Sequence, residues 1–174
     1  MNIIGTRVTL RAIEQKDDEM LLDLVNSPII ENSVVGWGFP VSHEEQAIWR
    51  ELTVKRTDAV KFAVEMQGEC VGLVVLDKID WKNRRSQIGI KLSPKSQGKG
   101  IGQECLRLTI KYAFCELNLN KLEATVLEYN EKSKNMFIKC GFKEEGRLKE
   151  SIFKGDSYND LIIFGLLNRD FKRV

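Results

Sequence analysis

One short segment, residues 97–102, combines residue types that suit phosphate binding. It places three glycines within five residues, Gly98, Gly100 and Gly102, directly before a helical pattern begins. Glycine lets successive backbone N–H groups approach a ligand closely, and the N-terminus of a helix adds roughly half a positive charge. The segment therefore predicts a pyrophosphate-binding loop.

Two better-known phosphate loops do not fit this spacing. A Walker loop requires Ser or Thr after Gly98-Lys99, where the chain has Gly100, and a dinucleotide-binding loop requires Gly-x-Gly-x-x-Gly. The alternative that remains is a glycine-rich turn that packs a helix closely on a strand and binds nothing.

Composition excludes several classes of protein. With 174 residues, 43% hydrophobic and 30% charged, the chain is expected to form one domain over residues 1–174. The single histidine, His43, argues against multi-histidine metal centres, and we expect no metal. The formal charge of +2 gives no field that favours nucleic acid as a partner.

The cysteines and the apolar runs bear on location. The four cysteines have no CxxC spacing and are expected to be reduced core residues. No run approaches the ~18 apolar residues of a membrane span, and the N-terminus lacks a signal pattern. We therefore expect a cytoplasmic protein without a membrane partner.

The elements that must position the glycine segment follow from hydrophobic periodicity. The pattern predicts an α/β (α+β) arrangement in the order β-α-α-β-β-β-α-β-α-β-β, in which one β-α-β crossover interrupts a mostly antiparallel sheet. Two prolines and two glycines make segment 27–41 an expected irregular loop. Strands are predicted at 7–13, 60–66, 70–79, 86–92, 122–127, 142–153 and 158–167, and helices at 16–26, 42–55, 100–117 and 131–139.

Two motifs resemble those of a known family. The pattern Gln-x-x-Gly-x-Gly at 97–102, between a strand and a long helix, resembles the acetyl-CoA motif of the GNAT N-acetyltransferases. Residues 130–133 (Asn-Glu-Lys-Ser), with Gly-Phe at 141–142, resemble the family's second motif, and the tail from 145 to 160 is similar to the branch of ribosomal-protein and spermidine N-acetyltransferases. The resemblance covers essentially the whole chain. It implies a GNAT fold of about seven strands and about four helices with a splayed central strand pair.

The resemblance also implies acetyl-CoA as the acyl-donor cosubstrate. Residues 90–92 would pair with the pantetheine arm, and the amides of 97–102 would hold the pyrophosphate. Lys99 either adds a cation near the 3′-phosphate or is a solvated loop lysine. The implied cofactor-binding residues are Ile90, Lys91, Leu92, Gln97, Gly98, Lys99, Gly100, Ile101, Gly102, Asn130, Ser133 and Phe137.

The implied reaction is direct attack of a neutral amine on the acetyl thioester. The N–H of Leu92 is expected to polarise the thioester carbonyl. Spermidine-type relatives carry Tyr as the presumed thiolate acid where this chain has Phe137, which has no proton to donate. We therefore expect Ser133 to be the acid, with Tyr129 and Cys140 as alternatives.

The motifs do not identify the general base. Many relatives carry Glu at the position of Gln87, and glutamine cannot accept the proton. A water chain that ends at Asp80, Glu150 or Asp160 would be an alternative route for the proton.

The acceptor is expected to bind near Trp37 and Phe39 together with Gln87. Aromatic rings can stack on an amine, although a loop that covers the core is an alternative role for the two aromatic residues. The acceptor is a protein N-terminus, a polyamine or another small amine such as an aminosugar. A homo-oligomer is possible, with a dimer favoured. A non-catalytic acyl-CoA-binding or scaffolding module is the alternative function.

Overall fold

An eight-stranded sheet organises the described part of the chain. A computed structural model describes residues 1–36 and 38–172. The strands follow the order β1-β2-β3-β4-β5-β6-β8-β7, and all neighbours are antiparallel except the parallel pair β5–β6. The strands are β1 (Ile3–Ile4), β2 (Thr9–Arg11), β3 (Val60–Met66), β4 (Glu69–Asp80), β5 (Arg85–Leu92), β6 (Lys121–Leu127), β7 (Lys143–Lys154) and β8 (Ser157–Leu167). The helices are α1 (Asp18–Val25), α2 (Pro28–Glu31), α3 (His43–Lys55), α4 (Ile101–Cys115) and α5 (Glu131–Lys139).

The two faces of the sheet carry different helices. On one face, Val74 and Leu76 of β4 are fully buried in clusters that include Cys105 and Leu106 of α4. Successive side chains of a strand point to opposite faces, so Leu73 and Val75 of β4 face the other side, where α1 and α3 pack. None of the helices in the described ranges has the length and apolar composition needed to cross a bilayer.

The parallel strands β5 and β6 separate after a short ladder. Their pairing runs from Arg85–Lys121 to Gln87–Glu123, although β5 continues to Leu92 and β6 to Leu127. Each strand keeps its other neighbour, because β5 pairs with β4 up to Leu92 and β6 pairs with β8 up to Leu127. The carboxyl ends of β5 and β6 therefore diverge and leave a gap in the sheet, as the resemblance implied.

The structure of the N-terminal third differs from the predicted elements in two segments, and this changes the number of strands and helices. The predicted strand 7–13 is shortened to β2, and the two-residue strand β1 precedes it. Segment 27–41, predicted to be irregular, contains the short helix α2, in which Pro28 occupies the first turn. Proline suits that position because its missing N–H is unpaired there anyway. The described ranges thus hold eight strands and five helices rather than about seven and about four.

A buried ion pair lies where β2 ends, at Arg11. The guanidinium donates two hydrogen bonds to Asp17, at 2.7 and 2.8 Å, and both side chains are almost fully buried. Burial by itself raises the pKa of Asp17, but the hydrogen bonds from Arg11 and from the Glu14 N–H outweigh it and hold that pKa below its usual value. The pair fastens β2 to the start of α1.

We predict that Asp17→Ala lowers the free energy of unfolding at pH 7 by about 1.5–3 kcal/mol, because the buried Arg11 guanidinium loses two hydrogen bonds and keeps only Glu65 as a carboxylate partner. Urea unfolding measures the change. Lys143→Ala is the control, since Lys143 is exposed and its nitrogen lies 3.7 Å from Asp170, and its expected cost is below about 1 kcal/mol. Equal costs for the two variants would contradict the prediction.

The same pair predicts a pH dependence. Since the folded pKa of Asp17 lies below its unfolded value of about 3.9, its stabilisation is fully present above that pH. It is lost as the pH falls through the folded pKa. The difference between parent and Asp17→Ala should therefore shrink when unfolding is measured below about pH 4.

Candidate active site

The backbone of β5 offers hydrogen-bonding groups to the gap. Ser93 donates its N–H to the Val71 carbonyl at 2.9 Å, so Ser93 points its backbone groups towards β4. In an antiparallel pair the direction alternates, and the groups of Leu92 and Ile90 therefore point away from β4, into the gap. The Leu92 carbonyl accepts a hydrogen bond from Gln97 Nε2 at 3.0 Å. An extended ligand that carries amides can pair with this edge.

The glycine segment lies where β5 leads into α4. Gly98 and Gly100 have φ values of 75° and 77°, which glycine adopts without strain. Gly100 is the N-cap of α4, and no side chain caps the helix. The N–H groups of the first turn are therefore available to an anion, in a position that the helix dipole favours.

Arg7, near the N-terminus of the chain, holds the glycine segment in place. Its Nη1 donates to the Lys99 carbonyl at 2.7 Å, while its Nε and backbone N–H both donate to Glu104 at 2.8 Å. Arg7 thereby fixes the loop and places a half-exposed guanidinium beside Gly100. No local pattern indicates this role, because Arg7 lies 92 residues from Lys99 in the chain.

The third glycine permits a close approach of two helices. A Cβ atom at Gly102 would lie 2.7 Å from Met136 Sδ of α5, which is too close for a stable contact. The open space at Gly98, the guanidinium of Arg7 beside Gly100 and the uncapped helix end fit a pyrophosphate. The residues present are thus suited to the phosphate arm that the sequence motif implied.

A cavity of about 330 Å³ fills the gap and continues onto the α1/α3 face. Its walls come from β3, β4, β5, β6, α3, α5 and the loop after α2. We call the part on the α1/α3 face the acceptor side, because the glycine segment occupies the opposite face with α4. The lining residues are Ser33, Val34, Val35, Gly36, Trp49, Lys61, Leu73, Val75, Asp77, Gln87, Ile88, Gly89, Ile90, Lys91, Thr125, Val126, Ser133 and Phe137.

Ser133 lies in the first turn of α5 and lines the cavity. Its backbone N–H donates to Asn130 Oδ1 at 3.0 Å, and within the described chain its hydroxyl has no protein partner. The hydroxyl is thus available to a ligand in the gap. Phe137, one turn further on, is 3% exposed and closes the bottom of the cavity against Phe142 and Phe164.

Three side chains from the second half of the chain hold the loop after α2. Tyr129 donates its hydroxyl proton to the Asn32 carbonyl at 2.8 Å, and Asn130 Nδ2 donates to the Ser33 carbonyl at 2.9 Å. Lys154, itself buried, donates to the carbonyl and the carboxylate of Glu31. These bonds fix the wall of the acceptor side that residues 33–36 form.

The charged groups of the cavity are two lysines and one carboxylate among its described lining residues. Burial lowers the pKa of Lys61, and nearby Arg56 lowers it further. Burial and then the charge of Lys154 lower the pKa of Lys91. Asp77 lies 3.0 Å from Arg56 Nη2 in an ion pair.

The carboxylates suggested as ends of a proton route lie elsewhere. Asp80 accepts hydrogen bonds from the backbone and side chain of Asn83, which hold its pKa below the usual value. Asp160 accepts the Glu150 N–H and pairs with Arg147, and these contacts likewise lower its pKa. None of Asp80, Glu150 and Asp160 is among the described residues that line the cavity.

The sequence suggested three acceptor-binding residues, and the structure brings one of them, Gln87, to the cavity. Phe39 is 66% exposed and is not one of the described lining residues, and Trp37 lies outside the described residues. The aromatic residue in the acceptor wall is instead Trp49 of α3, whose ring lies 4.3 Å from Lys61 Nζ. In the sequence, Trp49 belongs to the predicted helix at 42–55, and its helical periodicity does not indicate a binding role.

The acetyltransferase (GNAT) domain family matches residues 7–143 of the chain. The putative ribosomal N-acetyltransferase YdaF of Bacillus subtilis is 28% identical over 179 residues, covering 97% of this chain and 96% of that protein. The structure of spermidine N-acetyltransferase from Vibrio cholerae in complex with CoA and spermine has a TM-score of 0.90 and 29% identity, over 95% of this chain and 98% of that one. A dodecameric structure of the Vibrio cholerae enzyme in an intermediate state has a TM-score of 0.82 and 28% identity, over 94% and 95% of the two chains.

Asn130 allows its two contacts to be tested separately. Asn130→Asp keeps the oxygen that caps α5 but removes the donor to the Ser33 carbonyl, whereas Asn130→Ala removes both. We expect Asn130→Ala to cost about 0.5–2 kcal/mol of unfolding free energy and Asn130→Asp to cost less, because the cap is retained.

Both variants should accelerate amide hydrogen exchange in residues 32–36, where the tether is lost. Urea unfolding and hydrogen exchange measure the two effects. Unchanged exchange in Asn130→Asp would show that the tether does not hold the loop.

Proposed function

This chain belongs to the GNAT acetyltransferase family, whose members use acetyl-CoA to acetylate amines, and we propose that its own gap between β5 and β6 is where that transfer takes place. The observation that carries the proposal is the position of the uncapped, glycine-lined start of α4 at the open end of this gap. Acetyl-CoA supplies the acetyl group as a thioester. The single sheet that runs through the fold supports one domain over residues 1–174.

The donor side consists of backbone groups. The amides of 97–102 bind the pyrophosphate, with Arg7 as an additional cation that also fixes the loop. Ile90 presents its N–H and carbonyl groups, and Leu92 its carbonyl, to the amides of the pantetheine arm. Lys99 and Asn130 are the remaining residues of the proposed donor side. The side-chain amide of Asn130 also donates to the Ser33 carbonyl and accepts the Ser133 N–H.

Two groups of the chain act on the reacting atoms. The Leu92 N–H points into the gap and stabilises negative charge on the carbonyl oxygen. The hydroxyl of Ser133 gives a proton to the departing sulfur. The amine nitrogen forms a bond to the acetyl carbon while the carbon–sulfur bond breaks. Of the two protons that the ammonium loses, one ends on the thiol and one in solvent.

The acceptor is a small amine that enters from the α1/α3 face. The fully formed wall of residues 33–36, Trp49 and Gln87 supports a small molecule, and the spermidine enzyme of Vibrio cholerae is a structural relative with such an acceptor. A protein N-terminus, as the name of the Bacillus relative suggests, is the second acceptor class.

Location and assembly are part of the proposal. Four free cysteines support the cytoplasm, where thiols remain reduced. Self-association is supported by the edge strand β7, whose hairpin with β8 exposes Leu148, Phe153 and Tyr158, and by the dodecameric relative. A dimer in particular stays a prediction.

We predict that Gly100→Asp abolishes CoA binding, because a side chain at a φ of 77° is strained and its carboxylate would pair with Arg7 and repel the pyrophosphate. In the parent, CoA at about one hundred times its Kd should raise the Tm by roughly 5–10 °C. Gly68→Asp is the matched control, since Gly68 has a φ of 85° in the β3–β4 turn and open space around it. A preserved CoA shift in Gly100→Asp would contradict the proposed donor side.

We predict that Ser133→Ala lowers kcat by about 10²–10⁴-fold, since the leaving sulfur loses its proton donor. The affinity for CoA, measured by the same thermal shift, should change little. Lys132→Ala, an exposed neighbour in the same turn, controls for effects on α5. Thiol release from acetyl-CoA over a panel of amines measures the rate, and an unchanged kcat would remove Ser133 from the acid role.

A further inference from the structure

Two lysines face the acceptor side from different strands. Lys61 of β3 is opposite Val75 of β4, and Val75 is opposite Gly89 of β5, which lies two residues before Lys91. Both lysines therefore point to the same face of the sheet, with Cα atoms roughly 12 Å apart at ordinary strand spacing. Both line the cavity described above.

Neither ammonium group forms an ion pair with a carboxylate in the described chain, although the charges of Asp77 and Asp58 act on Lys61. Lys61 Nζ donates to Thr53 Oγ1 at 3.3 Å and lies over the Trp49 ring. The ammonium group of the half-buried Lys91 has neither a hydrogen bond nor an ion pair within residues 1–36 and 38–172. A charge withdrawn from water without a partner is costly, and it is commonly retained where a ligand supplies the partner.

The nearby carboxylates already have cationic partners. Arg56 pairs with both Asp77 and Asp58, and Glu31 receives Lys154, whose charge also acts on Lys91. The acceptor wall thus presents more positive than negative charge. A polyamine, which carries several positive charges of its own, would meet repulsion at Lys91 and Lys61.

We infer that the acceptor is a small amine that also carries an anionic group, a carboxylate or a phosphate, and that Lys91 binds this group. This inference rests on the proposed function. Lys61 supplies a second positive charge on the same wall, and the reacting amine then lies towards Gln87 and the gap. Lys91 thereby acts as a specificity-determining residue through its side chain, in addition to the backbone role proposed for its strand.

The test compares amines that differ by one anionic group. Lysine is cadaverine with an added carboxylate, and phosphoethanolamine is ethanolamine with an added phosphate, so the two pairs also distinguish the two sources of charge. We expect kcat/KM, measured as thiol release at saturating acetyl-CoA, to be at least about tenfold higher for the anionic member of one pair. Spermidine and a short peptide with an acidic side chain complete the panel.

Two variants assign the effect to Lys91. Lys91→Met should remove most of the preference within the pair, and Lys91→Glu should reverse it towards the diamine. Lys82→Met, in the exposed turn between β4 and β5, is the control lysine. The CoA-induced thermal shift of each variant shows that it folds and binds the donor.

Calorimetric titration of the same amines into the enzyme saturated with CoA distinguishes failure of this inference from failure of the proposed function. Anion-dependent binding without thiol release supports the inference and contradicts the proposed function. Thiol release with a preference for cadaverine or spermidine, or a preference that Lys91→Met leaves intact, overturns the inference while the proposed function stands. A peptide that exceeds every small amine also overturns it.

Discussion

The early end of the β5–β6 ladder is the constraint on which the site depends. Each strand is held on its outer side, β5 by β4 and β6 by β8, up to its carboxyl end. The two strands therefore cannot close on each other beyond Gln87–Glu123. Backbone polar groups left in such a gap need partners, since an unpaired buried group costs about 1–3 kcal/mol. The side chain of Gln97 satisfies one of them, and an extended amide ligand can satisfy others.

The gap also gives the two proposed substrates access from opposite faces of the sheet. Strand alternation separates the fully buried α4 side of β4 and β5 from the side that carries Leu73, Gly89 and Lys91. The phosphate-binding segment belongs to the first side because it begins α4. Trp49 and the loop after α2 belong to the second. A reacting carbon in the gap is thus reachable from both faces, and neither ligand has to pass the other.

Local signals in the sequence predicted the glycine segment before α4 and most of the fold. The glycine spacing acts over a few residues, as does the capping box of α3, in which the Glu45 N–H donates to Ser42 Oγ, and both the loop and α3 begin close to where they were expected. Pro28 was read as a breaker, but proline in the first turn begins α2. The acceptor wall had no local signal, because the register of three strands brings Lys61, Asp77 and Lys91 together. Arg7 was missed for the same reason, since Glu104 lies 97 residues away.

The tethers on the loop after α2 have a consequence for how the protein is made. Residues 31–33 are held by Tyr129, Asn130 and Lys154, which lie 97 to 123 residues later in the chain. During synthesis, the N-terminal part of the acceptor wall leaves the ribosome long before the groups that fix it exist. A nascent chain can thus assemble its phosphate-binding segment, but its acceptor wall becomes rigid only when the β7–β8 hairpin arrives.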